Sequence, residues 1–587
     1  MRLRLELKQG GMEVNGRRST RRAVKGLALL IGAALVVSAC SGNKEESKGS
    51  QAPASSASSS PTQTATAADP FGKYDPPIVL TTVRNLNDVI ENNVLSVLKG
   101  ETFEDNRWSR IYEEQLGIKL KYNWVVKGGD TSDQYVQKLN VTLASGELPD
   151  FITVNAVQLK QLAESDQIED MSALYEQYAS PFTKEVLSQE GTGPIDAATF
   201  DGKLMAIPQV ESSIERSMYI WIRTDWLNKL KLQPPKTMAD VREISKAFAE
   251  RDPDGNNQRD TYGLGLTKDV FGGAMGLEGF MAGFNAYPNI WIEDASGKLV
   301  FGSIQPETKK ALQALQEMYK NGEIDKEFGI KDGGKVSEQI AAGKIGMEYG
   351  EQWNSIWPLQ LNKNNEKDAQ WQAFPIVSET GETPKVPLKF STTKFIAVKK
   401  GAKNPEAVIK LFNLHLEKNW GETAEFDKYY APPNAESVWQ LSPVTPYPLK
   451  KNLDAFRQID AARKAGDMSV LKGEAKTIQE KLDMYASGSS EGFALWGWER
   501  IYGTEGSMGI GSQYDQNNQF LMDKFVGTPT PTMVERKTTL EKMQNETFIK
   551  IILGQSVDDF DKFVADWKKL GGEQITQEVN DWYASLK

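Results

Sequence analysis

The sequence predicts an α/β protein of two or more lobes, on three observations. At 587 residues the chain exceeds what one hydrophobic core ordinarily organises. Hydrophobic residues make up 39% and charged residues 25%, the balance of a soluble globular body. From Ile78 onward strand-like and helix-like segments alternate, the pattern of helices packed on a parallel sheet. Ile78-Val79-Leu80-Thr81-Thr82-Val83 is short and apolar, as a covered strand is. Asn106 to Gln115 reads as a helix stopped by Gly117, and Ile118 to Trp124 alternates like a second strand. Tyr135 to Ser145 reads as a helix ended by Gly146, and after a proline turn a third strand runs through Phe151-Ile152-Thr153-Val154.

Ahead of this body, Arg17, Arg18, Arg21, Arg22 and Lys25 flank an apolar run from Gly26 to Val37. That run has signal-peptide length and is short for a permanent spanning helix. It closes on Val37-Ser38-Ala39-Cys40, two small residues before the chain's one cysteine. The pattern resembles a bacterial lipoprotein signal. The resemblance implies cleavage after residue 39, a diacylglycerol on the Cys40 thiol, and lipid anchoring on the extracellular face of a Gram-positive cell membrane. Residues 40–75, rich in Ser, Ala, Thr, Gln and Pro, have almost nothing to bury and are expected to be a disordered tether.

Composition excludes several function classes. A net charge of −10 and a pI near 5.2 argue against nucleic-acid binding, which needs a basic face. The chain has one histidine, His415, in the helical-looking apolar stretch Ile409 to Leu416, where a structural role is expected. Multi-histidine metal sites are therefore excluded, and a Ser-His-Asp or Cys-His system would rest on that residue alone. Enzymes using only carboxylates stay open.

The order strand, helix, strand, helix, then Leu143-Ala144-Ser145-Gly146-Glu147-Leu148-Pro149-Asp150-Phe151-Ile152, resembles the N-terminal lobe of family 1 extracellular solute-binding proteins, receptors of carbohydrate-importing ABC transporters. Gly202-Lys203-Leu204-Met205-Ala206-Ile207-Pro208, Asp225-Trp226-Leu227 and Pro234-Pro235-Lys236-Thr237 continue the resemblance in order. Ala341 to Met347 and Lys403 to Ala407 fit it too, and the long tail is similar to the larger Gram-positive lipoprotein branch. What this implies is a periplasmic-binding-protein-like fold: two α/β lobes, a hinge and an interlobe ligand cleft. Lobe one is expected at 76–207 and 375–455, lobe two at 208–374 and 456–587. The implied partners are an oligosaccharide and the permease of an ABC importer with its cytoplasmic ATPase; the protein is expected to be a monomer and not an enzyme.

Asp252-Pro253-Asp254-Gly255-Asn256-Asn257-Gln258-Arg259-Asp260 places side-chain oxygens at loop positions 1, 3, 5 and 9, with the Gln258 carbonyl at 7. That spacing wraps oxygens around a hard cation, so Asp252, Asp254, Asn256, Gln258 and Asp260 are expected to hold a structural Ca²⁺. The loop departs from the EF-hand pattern: position twelve is Gly263, and the glycine comes early. Alginate-binding receptors of the resembled family carry a comparable loop with an acid just after position nine; here that residue is Thr261.

Sugars offer apolar C–H faces and rings of hydroxyls, so a site needs aromatic platforms flanked by polar groups. Tyr349 to Trp357 emerges from the end of an apparent strand, where α/β sheets bind ligands. Leu495 to Arg500 sets two tryptophans around a glycine beside an acid and a base. Trp353 and Trp498 lead the stacking candidates, with Trp496, Asn354, Glu499, Glu211 and Arg223 behind them. Trp221, Trp226, Trp291, Trp567 and Trp582 are expected to be packing residues. The rival classes are a surface glycosidase with paired carboxylates, which would turn its glycan over, and a lipoprotein that binds a protein or peptide.

Overall fold

The computed structural model describes residues 68–586 except 433, 434 and 436. The expected signal segment, Cys40 and the tether as far as residue 67 lie outside the described residues. In the first lobe, β1 (Ile78–Leu86) leads to α1 (Arg107–Ile111), which widens to a π turn through Leu116. Asn106 starts that helix by accepting the amide N–H groups of Trp108 and Ser109, while its own N–H donates to the Ser109 hydroxyl. Gly117 ends it at φ 66°; a Cβ there would stand 2.2 Å from the Tyr74 carbonyl oxygen, so only glycine fits. β2 (Ile118–Lys127), α2 (Asp133–Ser145), β3 (Phe151–Asn155), α3 (Ala156–Glu164) and β4 (Ile207–Gln209) follow.

The chain then enters the second lobe with β5 (Tyr219–Arg223), α4 (Met238–Glu250), β6 (Tyr262–Leu264), β7 (Ile345–Gly350), β8 (Trp371–Phe374) and β9 (Val386–Leu388). Its sheet runs β8–β5–β7–β6, with β5 antiparallel to both neighbours and β7 parallel to β6. β10 (Lys394–Val398) and α5 (Ala407–Trp420) return to the first lobe. The chain ends in the second lobe with α6 (Lys451–Ala465), α7 (Gly473–Ala486), α8 (Trp496–Tyr502), β11 (Phe520–Met522), α9 (Pro531–Ile552), α10 (Asp559–Trp567) and α11 (Glu573–Ser585).

The parallel sheet expected for the first lobe is realised only by β1 and β2. β10 inserts between β3 and β4, antiparallel to both, so a distant segment supplies the pairing that consecutive strands were expected to supply. The Asp150 carboxylate joins the two sheets by accepting the backbone N–H and the hydroxyl of Thr81, both at 2.7 Å.

The hydrophobic clusters correct the lobe boundaries. The first-lobe core holds Leu80 to Val210 and Phe395 to Leu449. Ile376, Val377, Val386 and Leu388 belong to second-lobe clusters, as do Leu453 and Phe456. The second crossing therefore lies near 389–393 rather than 375, because β9 pairs with β11 of the second lobe. The third lies near 445–450 rather than 455, since α6 packs wholly with the second lobe, and Pro443, Pro446 and Pro448 stiffen its approach. The first falls at 211–213, close to the expected 208.

His415 is fully buried, stacked on Trp108 with ring centroids 4.6 Å apart, and burial pushes its pKa down to about 3. It is a neutral core residue. Trp108 also donates its indole N–H to the Tyr429 carbonyl at 3.2 Å, joining the two chain segments of this lobe. Trp108→Ala should destabilise the protein by about 3–5 kcal/mol in urea unfolding. A loss below about 1 kcal/mol would show that this junction does not hold the segments together.

Candidate functional site

The crossings are gathered by hydrogen bonds. Glu190, from the first lobe, accepts the amide N–H groups of Ser213 (2.8 Å) and Ile214 (3.0 Å). Burial pushes its carboxyl up, and those amides hold it partly back. The Ser212 hydroxyl donates to the Leu449 carbonyl at 2.7 Å and its amide to the Tyr447 hydroxyl at 3.1 Å, tying the first crossing to the third. The Glu211 amide reaches the Thr392 hydroxyl of the second crossing at 3.4 Å.

Beside this bundle, aromatic rings from both lobes face one cavity of about 300 Å³. The second lobe supplies Trp353 and Trp498, and Phe426 and Tyr430 come from the segment whose Tyr429 is buried in the first-lobe core. Trp353 is oriented by its indole N–H, which donates to Glu351 Oε2 at 2.6 Å, and by stacking on Trp357 at 6.2 Å. A Cβ on Gly273 would come within 2.9 Å of the Trp353 ring and 2.7 Å of the Glu351 carboxylate, so that close approach requires glycine. Trp498 stacks on Tyr502 at 5.9 Å with the Lys481 ammonium 3.7 Å over its ring. Opposite, Tyr430 is held by ring contacts with Phe426 (4.7 Å) and Trp439 (6.0 Å). Lys451, in the same wall, pairs with Glu474 at 2.8 Å; burial opposes its charge, but Glu474, Tyr430 and Glu215 keep it well above the usual lysine range.

A second chamber, of about 620 Å³, opens between the start of α3 (Asn155 to Val157), the second crossing, and second-lobe residues including Phe271, Trp291, Phe525 and Lys537. In its wall Asp523 accepts the Trp291 and Phe525 amides at 3.0 and 3.1 Å, and burial pushes its carboxyl up to about 7. Lys389 lines this chamber, pairs with Glu278 at 3.0 Å, and acts with Arg216 and Glu278 on the Glu351 carboxyl, which burial pushes up. Glu351, which orients Trp353, and Lys389, which lines the larger chamber, thus interact electrostatically.

The structure thus brings together Trp353 and Trp498 of the expected site; Glu211 lies at the first crossing and does not line that cavity, and burial raises its carboxyl against Lys394 and Arg216. It corrects the others. Trp496 is wholly buried with Trp221 and Trp371 in a second-lobe core. Arg223 is buried at the end of β5, ion-paired with Asp225 (2.5 Å) and Glu366 (3.0 Å) and packed over Trp226. Glu499 is turned to Arg500 at 2.5 Å and does not line the cavity. Asn354 is fully buried and donates to Glu348 Oε1 at 3.2 Å. Trp291 and Trp567, expected as packing residues, are buried but also border the larger chamber. Sequence reading missed Phe426, Tyr430 and Trp439, whose signal was the aromatic density of Phe426-Asp427-Lys428-Tyr429-Tyr430.

The Asp/Asn loop, far along the second lobe, has no oxygen cage. Asp252 spends its carboxylate on the amides of Gly255, Asn256 and Asn257, at 3.0 to 3.1 Å. Gln258 is exposed, and its amide donates to Asn256 Oδ1 at 2.7 Å. Asn256 turns its NH₂ toward Asp254 and Asp260, and the Lys344 ammonium bridges the same two carboxylates. Among the described residues no three Asp, Glu, His or Cys side chains converge in a way that would hold a metal.

A profile described as "bacterial extracellular solute-binding protein" matches residues 109–449, more than half of the chain. The chain belongs to the bacterial extracellular solute-binding proteins. The solute-binding protein is 23% identical over 460 residues to the polygalacturonan/rhamnogalacturonan-binding protein YtcQ of Bacillus subtilis, covering 77% of this chain and 83% of YtcQ. It is 30% identical over 238 residues to lipoprotein LipO of B. subtilis, a match covering 40% of this chain and 44% of LipO. That match spans less than half of LipO's length. Its fold is similar to an HMO-binding, ABC-transporter-associated solute-binding protein of Bifidobacterium longum infantis, with a TM-score of 0.58 at 15% identity over 86% of this chain and 98% of that one. Among the described residues no helix is long and apolar enough to cross a membrane.

Beneath Trp353, the Glu348–Asn354 pair gives the site a pH dependence. Burial pushes Glu348 up to about 8. Its Oε2 is buried without a hydrogen-bond partner, so a proton on the acid removes a charge that nothing at that oxygen compensates. A carboxyl raised on folding stabilises most when protonated, so this contribution is complete below pH 4.5 and lost as pH rises to about 8. Each pH unit in the upper part of that window should remove up to about 1.4 kcal/mol. Glu348→Gln, which cannot titrate, should flatten this part of the stability–pH curve measured by denaturant melts; an unchanged slope would mean that Glu348 is not its source.

Proposed function

We propose that this solute-binding protein captures an oligosaccharide in its interlobe cleft and delivers it to the permease of an ABC importer, tethered to the outer face of the membrane through a lipid on Cys40. The observation that carries the reading is the convergence of Trp353 and Trp498 from one lobe and Phe426 and Tyr430 from the other on one cavity. Flat aromatic faces complement the C–H faces of pyranose rings, and Lys451, Glu474 and Asn452 beside them offer hydroxyl partners. A ring held between faces from two lobes contacts both only when the lobes are together, so ligand binding stabilises the closed form that a permease recognises. The second chamber, of about 620 Å³ and lined from both lobes, offers room beyond one sugar ring and favours an oligomer. The polygalacturonan- and HMO-binding relatives support a glycan as the ligand class.

Thermal unfolding against a panel of oligosaccharides, including galacturonan and rhamnogalacturonan fragments, tests this. Ligand at a hundredfold its Kd adds about 2.7 kcal/mol. One glycan class should raise the melting temperature and be recovered uncleaved. No shift with any glycan favours a peptide partner, and cleaved glycan makes the protein an enzyme. Trp498→Ala should weaken the glycan that binds by about tenfold with a smaller loss of apo stability than Trp496→Ala, whose ring is wholly in the core. Cys40→Ser should move the protein from the membrane fraction to the medium; retention on the membrane would remove the lipid-anchor reading.

A further inference from the structure

The loop at residues 252–260 has the spacing of a calcium site and the contacts of something else. Its three carboxylates concentrate negative charge, and an ammonium neutralises it from within the same chain. Lys344 Nζ lies 2.6 Å from Asp260 Oδ2 and 3.4 Å from Asp254 Oδ2, with its side chain 30% exposed. That hydrogen bond, with a second from the Asn256 amide, holds Asp260 below the usual carboxylate range. Lys229 supports the other side of the loop, its ammonium donating to the Pro253 carbonyl at 2.8 Å.

The groups directed at Asp254 and Asp260 are therefore N–H donors. Asn256 presents NH₂ to both, at 2.9 and 3.1 Å, because its oxygen accepts the Gln258 amide at 2.7 Å. Ca²⁺ takes six to eight oxygens and accepts no N–H donor. The residue that would supply an extra acid is Thr261, buried, with its hydroxyl donating to the Phe248 carbonyl at 2.7 Å. A calcium ion here would have to expel Lys344 and reverse Asn256, then find its oxygens with one acid too few.

We propose that the Lys344 ammonium is the resident cation of this loop, so that the second lobe closes its Asp/Asn turn without calcium. Lys344 stands directly before β7, whose far end carries Glu348 and leads to Trp353. A covalently attached cation fixes the loop to the sheet strand under the aromatic site, and the loop's geometry is then independent of the calcium outside the cell.

Calcium titration of the protein by calorimetry, with melting in millimolar calcium and in EDTA, is the first half of the test. The expected result is no binding heat and coincident melting curves. Uptake of one calcium per chain with a rise in melting temperature overturns the proposal, whatever the variants do. The second half is hydrogen exchange in Lys344→Met against Lys335→Met, which removes an exposed lysine paired with Glu338. The amides of Gly255, Asn256 and Asn257 should exchange on the order of tenfold faster in Lys344→Met and at the wild-type rate in Lys335→Met. Equal exchange in the two variants overturns the role given to Lys344. Lys344→Gln, which keeps a polar side chain but no charge, stands in if the methionine variant does not fold, and the same comparison decides.

Discussion

The cleft exists because a buried carboxylate holds the chain where it leaves the first lobe. Glu190 receives the amides of Ser213 and Ile214, which begin a short helical turn and have no helical acceptor of their own. Without it those N–H groups would be buried and unpaired at the junction on which both lobes pivot. Ser212 then carries the connection to the third crossing and Glu211 carries it to the second. Three separate stretches of chain behave as one joint because a few polar groups, rather than a hydrophobic interface, bind them.

Everything at the site follows from what that joint sets face to face. Trp353 comes from the end of the second-lobe sheet, Trp498 from a helix near the end of the chain, and Phe426 and Tyr430 from the first lobe's second segment. No two of these segments are neighbours in sequence, and the matched family profile stops at residue 449, short of Trp498. Each ring is fixed before any ligand arrives: Trp353 by Glu351, Trp498 by Tyr502 and Lys481, Tyr430 by Phe426 and Trp439. Little side-chain freedom remains to be lost on binding, which is how a polar, well-hydrated ligand is held by modest contacts.

How much of this was legible follows from the range of the forces involved. The first strands and helices were readable because periodicity and capping are local, as at Asn106 and Gly117. Trp353 and Trp498 were readable because aromatic residues beside polar ones after a strand or a glycine are a compositional signal. Trp496 shared that composition but points into the core, two residues and most of a helical turn away from Trp498. Arg223 and Asn354 look like ligand groups on paper; their partners, Glu366 and Glu348, are fixed only by the fold. Tyr430 was missed because its value comes from the opposite lobe. The placing of β9 and β10 was also beyond local reading, since their partners lie across the lobes' chain order. The aspartate loop is a different case: its spacing is local and legible, whereas the lysine that bonds Asp260 stands 84 positions downstream.

The third crossing has a mechanical consequence. Proline locks φ, and Pro443, Pro446 and Pro448 stand just ahead of Lys450, which is bound to Asp515 at 2.9 Å, and Lys451, which is bound to Glu474. This strap is a stiff rod clamped at its second-lobe end. The other two crossings, at 211–213 and 389–393, contain no proline. Torsion that changes the angle between the lobes therefore falls on those two, and the rod sets the axis about which they turn. The aromatic cavity lies beside that axis, lined by Lys451 and Asn452. Any change in the angle between the lobes therefore moves Tyr430 of one chain segment against Trp498 of the other at the very place where the strap enters the second lobe.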